Sequence, residues 1–347
     1  MYISGHWKGK QVKRFLLCLV CVCAFLPASA VTFSRLYSEP LPLGTNSTAN
    51  YYTYVAGEYG PDAFVMTWAI PNTNSVTIPS ASSGTYDCLI YWGDRSPVEK
   101  VTAWNDSDLT HSYAAAGNYQ IVISGTFSRI YFNDGGDKLL LTSIDQLGST
   151  GWKSFVAAFY GCANLVTGNC GGSDVSDVTT FTYAWRNCGS LTNLGDLSAW
   201  DVSNVTMFAY AWRNCSSLTN KVVMTWPATL TTAQNGWYNA PQVIGDISQV
   251  TNLAVNNLFL NFYNCDGLTY STSPGSLSSN IAHNIDIVWS QGSLIQSHVN
   301  NVLVDLDASG ATNGTVDLSG AGMAAPSAPG LVAVANLIGK TWTVTVN

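Results

Sequence analysis

Three histidines lie beyond residue 30, His111, His283 and His298, and none stands in a phrase that would arm a nucleophile or hold zinc. The chain has no His-Glu-x-x-His, no Gly-x-Ser-x-Gly and no Gly-rich phosphate loop ahead of a helix. Its carboxylates are scattered. Asp174, Asp196 and Asp201 have the setting of capping residues, and a glycosidase-type pair would show itself only in three dimensions. Oxygens cluster at Asn133-Asp134-Gly135-Gly136-Asp137, as for calcium, but no following glutamate completes a recognised loop and a polar hairpin is the simpler reading. No catalytic residue, metal site or cofactor is therefore assigned, and an enzyme is not expected. What recurs instead is a set of recognition-type side chains, Tyr160, Arg186, Arg213, Tyr238 and Tyr263, each in the same place of a repeated phrase. Aromatics and arginine are favoured where surfaces recognise ligands. The competing role for these five is to cover the flank of a core residue.

The phrase that carries them is Ala158-Phe159-Tyr160-Gly161-Cys162, then Ala184-Trp185-Arg186-Asn187-Cys188, Ala211-Trp212-Arg213-Asn214-Cys215 and Asn261-Phe262-Tyr263-Asn264-Cys265. A leucine stands three residues after each cysteine: Leu165, Leu191, Leu218 and Leu268. A further copy at Gly236-Trp237-Tyr238-Asn239-Ala240 has alanine in the cysteine slot and Val243 in the leucine slot. The anchors Phe159, Trp185, Trp212, Trp237 and Phe262 recur at intervals of 26, 27, 25 and 25 residues. A fixed period of this length predicts stacked repeats that bury a continuous core. Apolar residues seven and four places before each anchor, Trp152 and Phe155, Val178 and Phe181, Val205 and Phe208, Leu230 and Ala233, Val255 and Leu258, predict a two-turn helix, followed by a tight turn and a short strand. Asp174-Val175-Ser176 and Asp201-Val202-Ser203 would cap two of these helices. Cysteines stacked one above another point the same way, and alanine replaces one of them. The slot is read as small and apolar, filled by free thiols in preference to disulfides.

The motif [Phe/Trp]-x-[Gly/Asn]-Cys-x-x-Leu, with Trp200-Asp201-Val202-Ser203-Asn204-Val205-Thr206-Met207 between two copies, resembles the BspA-like class of bacterial surface-protein leucine-rich repeats. The resemblance implies a leucine-rich-repeat solenoid on a secreted or surface-attached protein, used for binding and adhesion, with no catalytic residues.

Ahead of the repeats, short β-type runs separated by turn residues lie at Phe64–Trp68, Ser75–Ile78, Tyr86–Trp92, Tyr119–Ile123 and Ile130–Phe132. With Trp92-Gly93-Asp94-Arg95-Ser96, Thr110-His111-Ser112-Tyr113 and Gly117-Asn118-Tyr119, this stretch resembles a PKD domain, an immunoglobulin-like sandwich. That family has glycine where Arg95 stands and threonine where Ser112 stands. The resemblance implies a spacer or weak binding module in which Asp94 and His111 fix turns.

The chain opens with Lys8, Lys10, Lys13 and Arg14, an apolar run from Phe15 to Leu26, and Pro27-Ala28-Ser29-Ala30, which is the pattern of a secretory signal peptide; the run is short for a membrane span. Without residues 1–30, ten basic residues face 21 acidic ones, a net charge near −11, which disfavours nucleic acid and anionic lipid as partners. Six of the nine cysteines remain, Cys88, Cys162, Cys170, Cys188, Cys215 and Cys265. After Leu268 the pattern loosens. It then predicts a helix through Ile295, Val299, Val302 and Leu303, a strand at Thr315–Leu318, a helix from Pro329 to Leu337 and a last strand at Trp342–Val346.

The expected organisation is thus a signal peptide (1–30), a linker (31–60), a PKD-like β-sandwich (61–138) and a leucine-rich-repeat-like α/β solenoid with capping turns (139–347), a mixed α/β chain. The expected function is recognition or adhesion outside the cell, with a protein or glycan bound through the repeat surface and no membrane span in the mature chain. The alternatives are an inert envelope spacer, a carbohydrate-active enzyme and a phage adhesive protein.

Overall fold

A computed structural model of the chain describes residues 59–72, 74–219, 232–243, 245–249, 259–275, 277 and 286–347. The expected signal peptide, residues 31–58 of the expected linker, and Leu230, Val255, Leu258 and His283 lie outside these residues.

The most apolar strand, β1 (Phe64–Ile70), has five of its seven side chains fully buried among its neighbours because it is central: β6 (Gly117–Phe127) pairs along one edge and β7 (Leu141–Gln146) along the other, both antiparallel. β3 (Tyr86–Tyr91) alternates buried and exposed residues, pairs with β6, and carries β4 (Glu99–Val101) on its far edge. With β8 (Thr167–Gly168) the sheet order is β4-β3-β6-β1-β7-β8. A separate antiparallel pair, β2 (Ser75–Thr77) with β5 (Thr110–Ser112), adds Val76 to the same core, and Tyr113, directly after β5, joins it. Ile130–Phe132 forms no strand; Ile130 makes only an isolated bridge to Ser80.

β8 is where the sheet meets the repeats. It pairs parallel with β7 on one side and bridges to Asn193 on the other, from which the amide of Thr219 continues to Thr192 O at 3.0 Å. Further on, β9 (Gly245–Asp246) pairs with β11 (Leu268–Thr269). β10 (Phe259–Asn261), β12 (Asp286–Val288), β13 (Thr315–Leu318) and β14 (Thr343–Val346) form a four-stranded parallel sheet in that order. Two α-helices pack beside it, α1 (Gln296–Ala308) and α2 (Ala328–Gly339), placed where the apolar spacing predicts them. One apolar core runs from Phe64 to Trp342, and the described residues form one compact unit.

The expected fold class is not the one observed. The described residues are mostly β, α1 and α2 are their only α-helices, and no sheet is closed or wound into a solenoid. The immunoglobulin-like sandwich followed by an α/β solenoid is replaced by a six-stranded sheet, a run of stacked turns and a small parallel sheet. The two-turn helix expected in each repeat is a pair of consecutive β-turns. In the first copy, Ala158 N–H bonds Phe155 O and Cys162 N–H bonds Phe159 O, both at 3.1 Å, and the third residue of each turn has positive φ: Ala157 at 50° and Gly161 at 82°. Tyr183 and Asn187, Tyr210 and Asn214, and Asn235 and Asn239 repeat this at φ between 51° and 62°. A left-handed residue every fourth position breaks an α-helix. The amides that a helix would turn inward instead reach the next copy: Phe155, Ala157, Phe159 and Gly161 bond the carbonyls of Thr180, Thr182, Ala184 and Arg186 at 2.7 to 3.0 Å. Turns of four residues mimic the helical period, because residues i and i+4 face the core in both.

Candidate functional site

Each repeat presents one residue inward at the anchor and one outward beside it. The anchors Phe159, Trp185, Trp212, Trp237 and Phe262 are buried and stacked, with ring centroids 5.8, 5.9, 5.5 and 6.2 Å apart in order along the chain. A second file, Phe155, Phe181 and Phe208, stacks at 5.1 and 5.3 Å. Leu165, Leu191, Leu218, Val243 and Leu268 close the far side and are buried. Each fully buried ring or leucine contributes about 1.5–3 kcal/mol, so the rows are bound together chiefly by this core.

Cys162, Cys188, Cys215 and Cys265 are buried free thiols, as are Cys88 and Cys170. The last three of the repeat set donate back to the preceding row: Cys188 to Phe159 O at 3.1 Å, Cys215 to Trp185 O at 3.0 Å and Cys265 to Trp237 O at 2.8 Å. Burial pushes Cys215 and Cys265 up to about 12 and Cys188 well above its ordinary value, so these thiols stay protonated and act as small apolar fillers.

The Gly/Asn slot has a similar double role. Gly161, Asn187, Asn214, Asn239 and Asn264 all sit at positive φ, which glycine and asparagine tolerate best. The four asparagines form a side-chain ladder: Asn214 Nδ2 donates to Asn187 Oδ1 at 2.9 Å, Asn239 to Asn214 at 3.2 Å and Asn264 to Asn239 at 2.7 Å. In the first copy glycine takes the slot, where a Cβ would meet the Asp134 side chain.

The five outward residues, Tyr160, Arg186, Arg213, Tyr238 and Tyr263, are half-buried, in line with a half-covered flank position. They are joined by two tyrosines that the sequence reading passed over, Tyr183 and Tyr210, two places before their anchors. The period itself could have revealed them, since both occupy the left-handed slot of their row. Arg186 lies over Tyr160 at 4.9 Å, Tyr183 at 5.2 Å and Tyr210 at 5.8 Å; Arg213 lies over Tyr210 at 5.6 Å and Tyr238 at 4.6 Å. Tyr160, Tyr183 and Tyr210 also stack on one another at 6.0 and 5.1 Å, and Tyr238 stacks on Tyr263 at 4.9 Å. The result is one continuous ribbon of phenol and guanidinium planes. The Nε atoms of Arg186 and Arg213 are buried with no hydrogen-bond partner among the described residues.

Other candidate groups are occupied structurally. Asp134 pairs with Lys138, and Asp137 accepts the Thr77 amide at 2.9 Å. Among the described residues no group of three or more His, Cys, Asp or Glu side chains gathers to hold a metal. Asp94 accepts the Ser96 amide at 2.9 Å and meets His111 Nε2 at 2.8 Å, while His111 stacks on Trp92 at 4.9 Å. Burial pushes the Asp94 carboxyl up, but the bonds from Ser96 and His111 outweigh it and hold it below its usual value. Asp174 and Asp201 each accept the amide two residues on at 3.0 Å, so the expected caps are made, on turns. No helix among the described residues is long and apolar enough to cross a membrane.

A family model described as "Mycoplasma protein of unknown function, DUF285" matches residues 153–273, which takes in the stacked turns and the whole tyrosine–arginine ribbon. No curated protein and no solved structure matches the chain.

Proposed function

We propose that this chain is an exported recognition protein, secreted or held at a cell surface, that binds a protein or glycan through the outward ribbon of its repeats and catalyses no reaction. The observation that carries the reading is the ribbon from Tyr160 to Tyr263. Seven aromatic and arginine side chains are held in register by the fold, while the core of each row is built by other residues, the anchor, the small Cys/Ala slot and the left-handed Gly/Asn slot. The pattern of the first 30 residues and the acidic composition support a place outside the cell and a ligand other than nucleic acid. The resemblance to BspA-like surface repeats points the same way.

The test is a binding screen of the purified full chain against glycans and extracellular proteins, run beside a variant in which Tyr160, Tyr183, Tyr210 and Tyr238 are replaced by alanine. Saturable binding by the wild type that the variant loses, with its unfolding transition intact, supports the reading. A folded wild type that binds nothing in the screen, or a ligand held equally well by both proteins, removes the ribbon from the function.

A further inference from the structure

Every lysine among the described residues has an acidic partner: Lys100 with Asp87, Lys138 with Asp134, Lys153 with Asp177 and Lys340 with Asp307. None of the described arginines, Arg95, Arg129, Arg186 and Arg213, has one, and of these Arg186 and Arg213 are the two that lie side by side, in a chain with 21 acidic side chains and a net charge of −7. Both flank the same ring, Tyr210, at 5.8 and 5.6 Å, so two like charges are held on adjacent rows with no counter-charge between them. This is an arrangement that an oxyanion completes, since charge-assisted bonds from guanidinium to carboxylate or sulfate are the strong ones.

The ribbon also restricts how a ligand can bind. The faces of Tyr183 and Tyr210 are covered by their neighbours in the stack, so along the interior of the ribbon a ligand meets ring edges, hydroxyls and guanidinium donors rather than open aromatic faces. Rows joined by parallel backbone pairing are about 4.8 Å apart. An extended peptide returns to the same face only every second residue, about 6.6 Å, and drifts out of step with such rows. An extended chain of pyranose rings advances by close to one row per ring and stays in step. The negative charge of the whole chain works against a dense polyanion, so the fitting ligand carries its charge sparsely.

We propose that the rows of Arg186 and Arg213 bind an acidic glycan, in which one or two neighbouring sugar rings bear a carboxylate or sulfate and the flanking rings, lying along Tyr160 and Tyr238, are neutral. This rests on the recognition reading above and names its ligand class.

The experiment measures binding of the full chain by calorimetry to a tetrasaccharide with two adjacent glucuronic acid rings, to its carboxyl-reduced counterpart, to a sulfated form of that neutral counterpart and to tetraglutamate. The expected result is saturable binding of the acidic or sulfated glycan at least tenfold tighter than the neutral one, with tetraglutamate no better than neutral. R186Q/R213Q should fall to the neutral level, and R186K/R213K, which keeps the charge but loses the planar fork, should lie between. The wild-type comparison stands even where the glutamine variant fails to fold. Equal binding of charged and neutral glycans, stronger binding of tetraglutamate, or acidic binding unchanged in a folded R186Q/R213Q would overturn the proposal. If the chain binds a neutral glycan or a protein through the ribbon, the ligand class falls and the recognition reading stands; if it binds nothing at all, both fall.

Discussion

Asn214 separates the two ways of reading a repeat, because a helix and a left-handed turn make opposite demands on it. It sits at φ 62°, donates to Asn187 and accepts from Asn239, at 2.9 and 3.2 Å. Asn214→Ala keeps a Cβ in a left-handed residue without asparagine's local compensation, which costs about 1 kcal/mol, and removes two half-exposed hydrogen bonds at about 0.5–1 kcal/mol each. The expected loss is about 2–3 kcal/mol. Asn214→Gly loses the same bonds but adopts positive φ freely, so its expected loss is smaller, about 1–2 kcal/mol after the added freedom of the unfolded chain. In a helix the order would reverse: alanine would gain about 0.6 kcal/mol over asparagine, and glycine would lie about 1 kcal/mol below alanine. Urea unfolding of the three proteins at a common m-value reads the order directly from the midpoints. A midpoint for Asn214→Ala at or above that of Asn214→Gly would refute the turn argument.

Arg95 is exposed at φ 70°, in the turn after Asp94, so Arg95→Gly should raise the urea midpoint by the equivalent of about 0.5–1 kcal/mol; an unchanged or lower midpoint would show that the arginine has a partner role. Burial pushes the Cys215 and Cys265 thiols to about 12 from an ordinary 9.0. The folded chain therefore keeps protons that the unfolded chain releases, and stability should hold below about pH 9 and fall above it by about 1.4 kcal/mol per pH unit per thiol. C215A/C265A should flatten that decline between pH 9 and 11, and an identical slope would contradict it. Asp246 behaves oppositely: burial pushes its carboxyl up, but bonds from Ser248 and Ser271 outweigh this and hold it below its usual value. Its contribution is present above the ordinary carboxylate range and is lost as pH falls through the folded value. Asp246→Asn should therefore be less stable than wild type at pH 6 and show a shallower acid limb, as read by fluorescence-detected unfolding between pH 5 and 2.

What the sequence made legible follows from which forces are periodic. The anchors from Phe159 to Phe262, the small slot at Cys188 and Ala240, and the strands at Thr315–Leu318 and Thr343–Val346 all stand where the spacing put them, because burial selects residue type at each row. The backbone of the rows was misread because period alone cannot distinguish a two-turn helix from two four-residue turns. The deciding signal was present in the Gly/Asn slot, at Gly161, Asn187, Asn214, Asn239 and Asn264, where left-handed φ was required. Pairing was less accessible. Nothing in residues 141–146 announces that they edge the first sheet, since that depends on which strand comes to lie beside β1.

The same geometry bears on why the proposed recognition surface would fall where it does. A stack of turns that joins rows by backbone hydrogen bonds fixes the residue beside each anchor in space whatever its type, provided the anchor, the small slot and the left-handed slot are satisfied. The flank position therefore carries no demand on the backbone: it holds Tyr160, Arg186, Arg213, Tyr238 and Tyr263 in turn without changing the path of the chain. Substitution there should cost only its exposed ring and guanidinium contacts, whereas substitution one residue on, at Asn187 or Asn214, should disturb the turn itself. Two neighbouring slots with unequal tolerance would allow this architecture to vary its proposed ligand while keeping its rows in register.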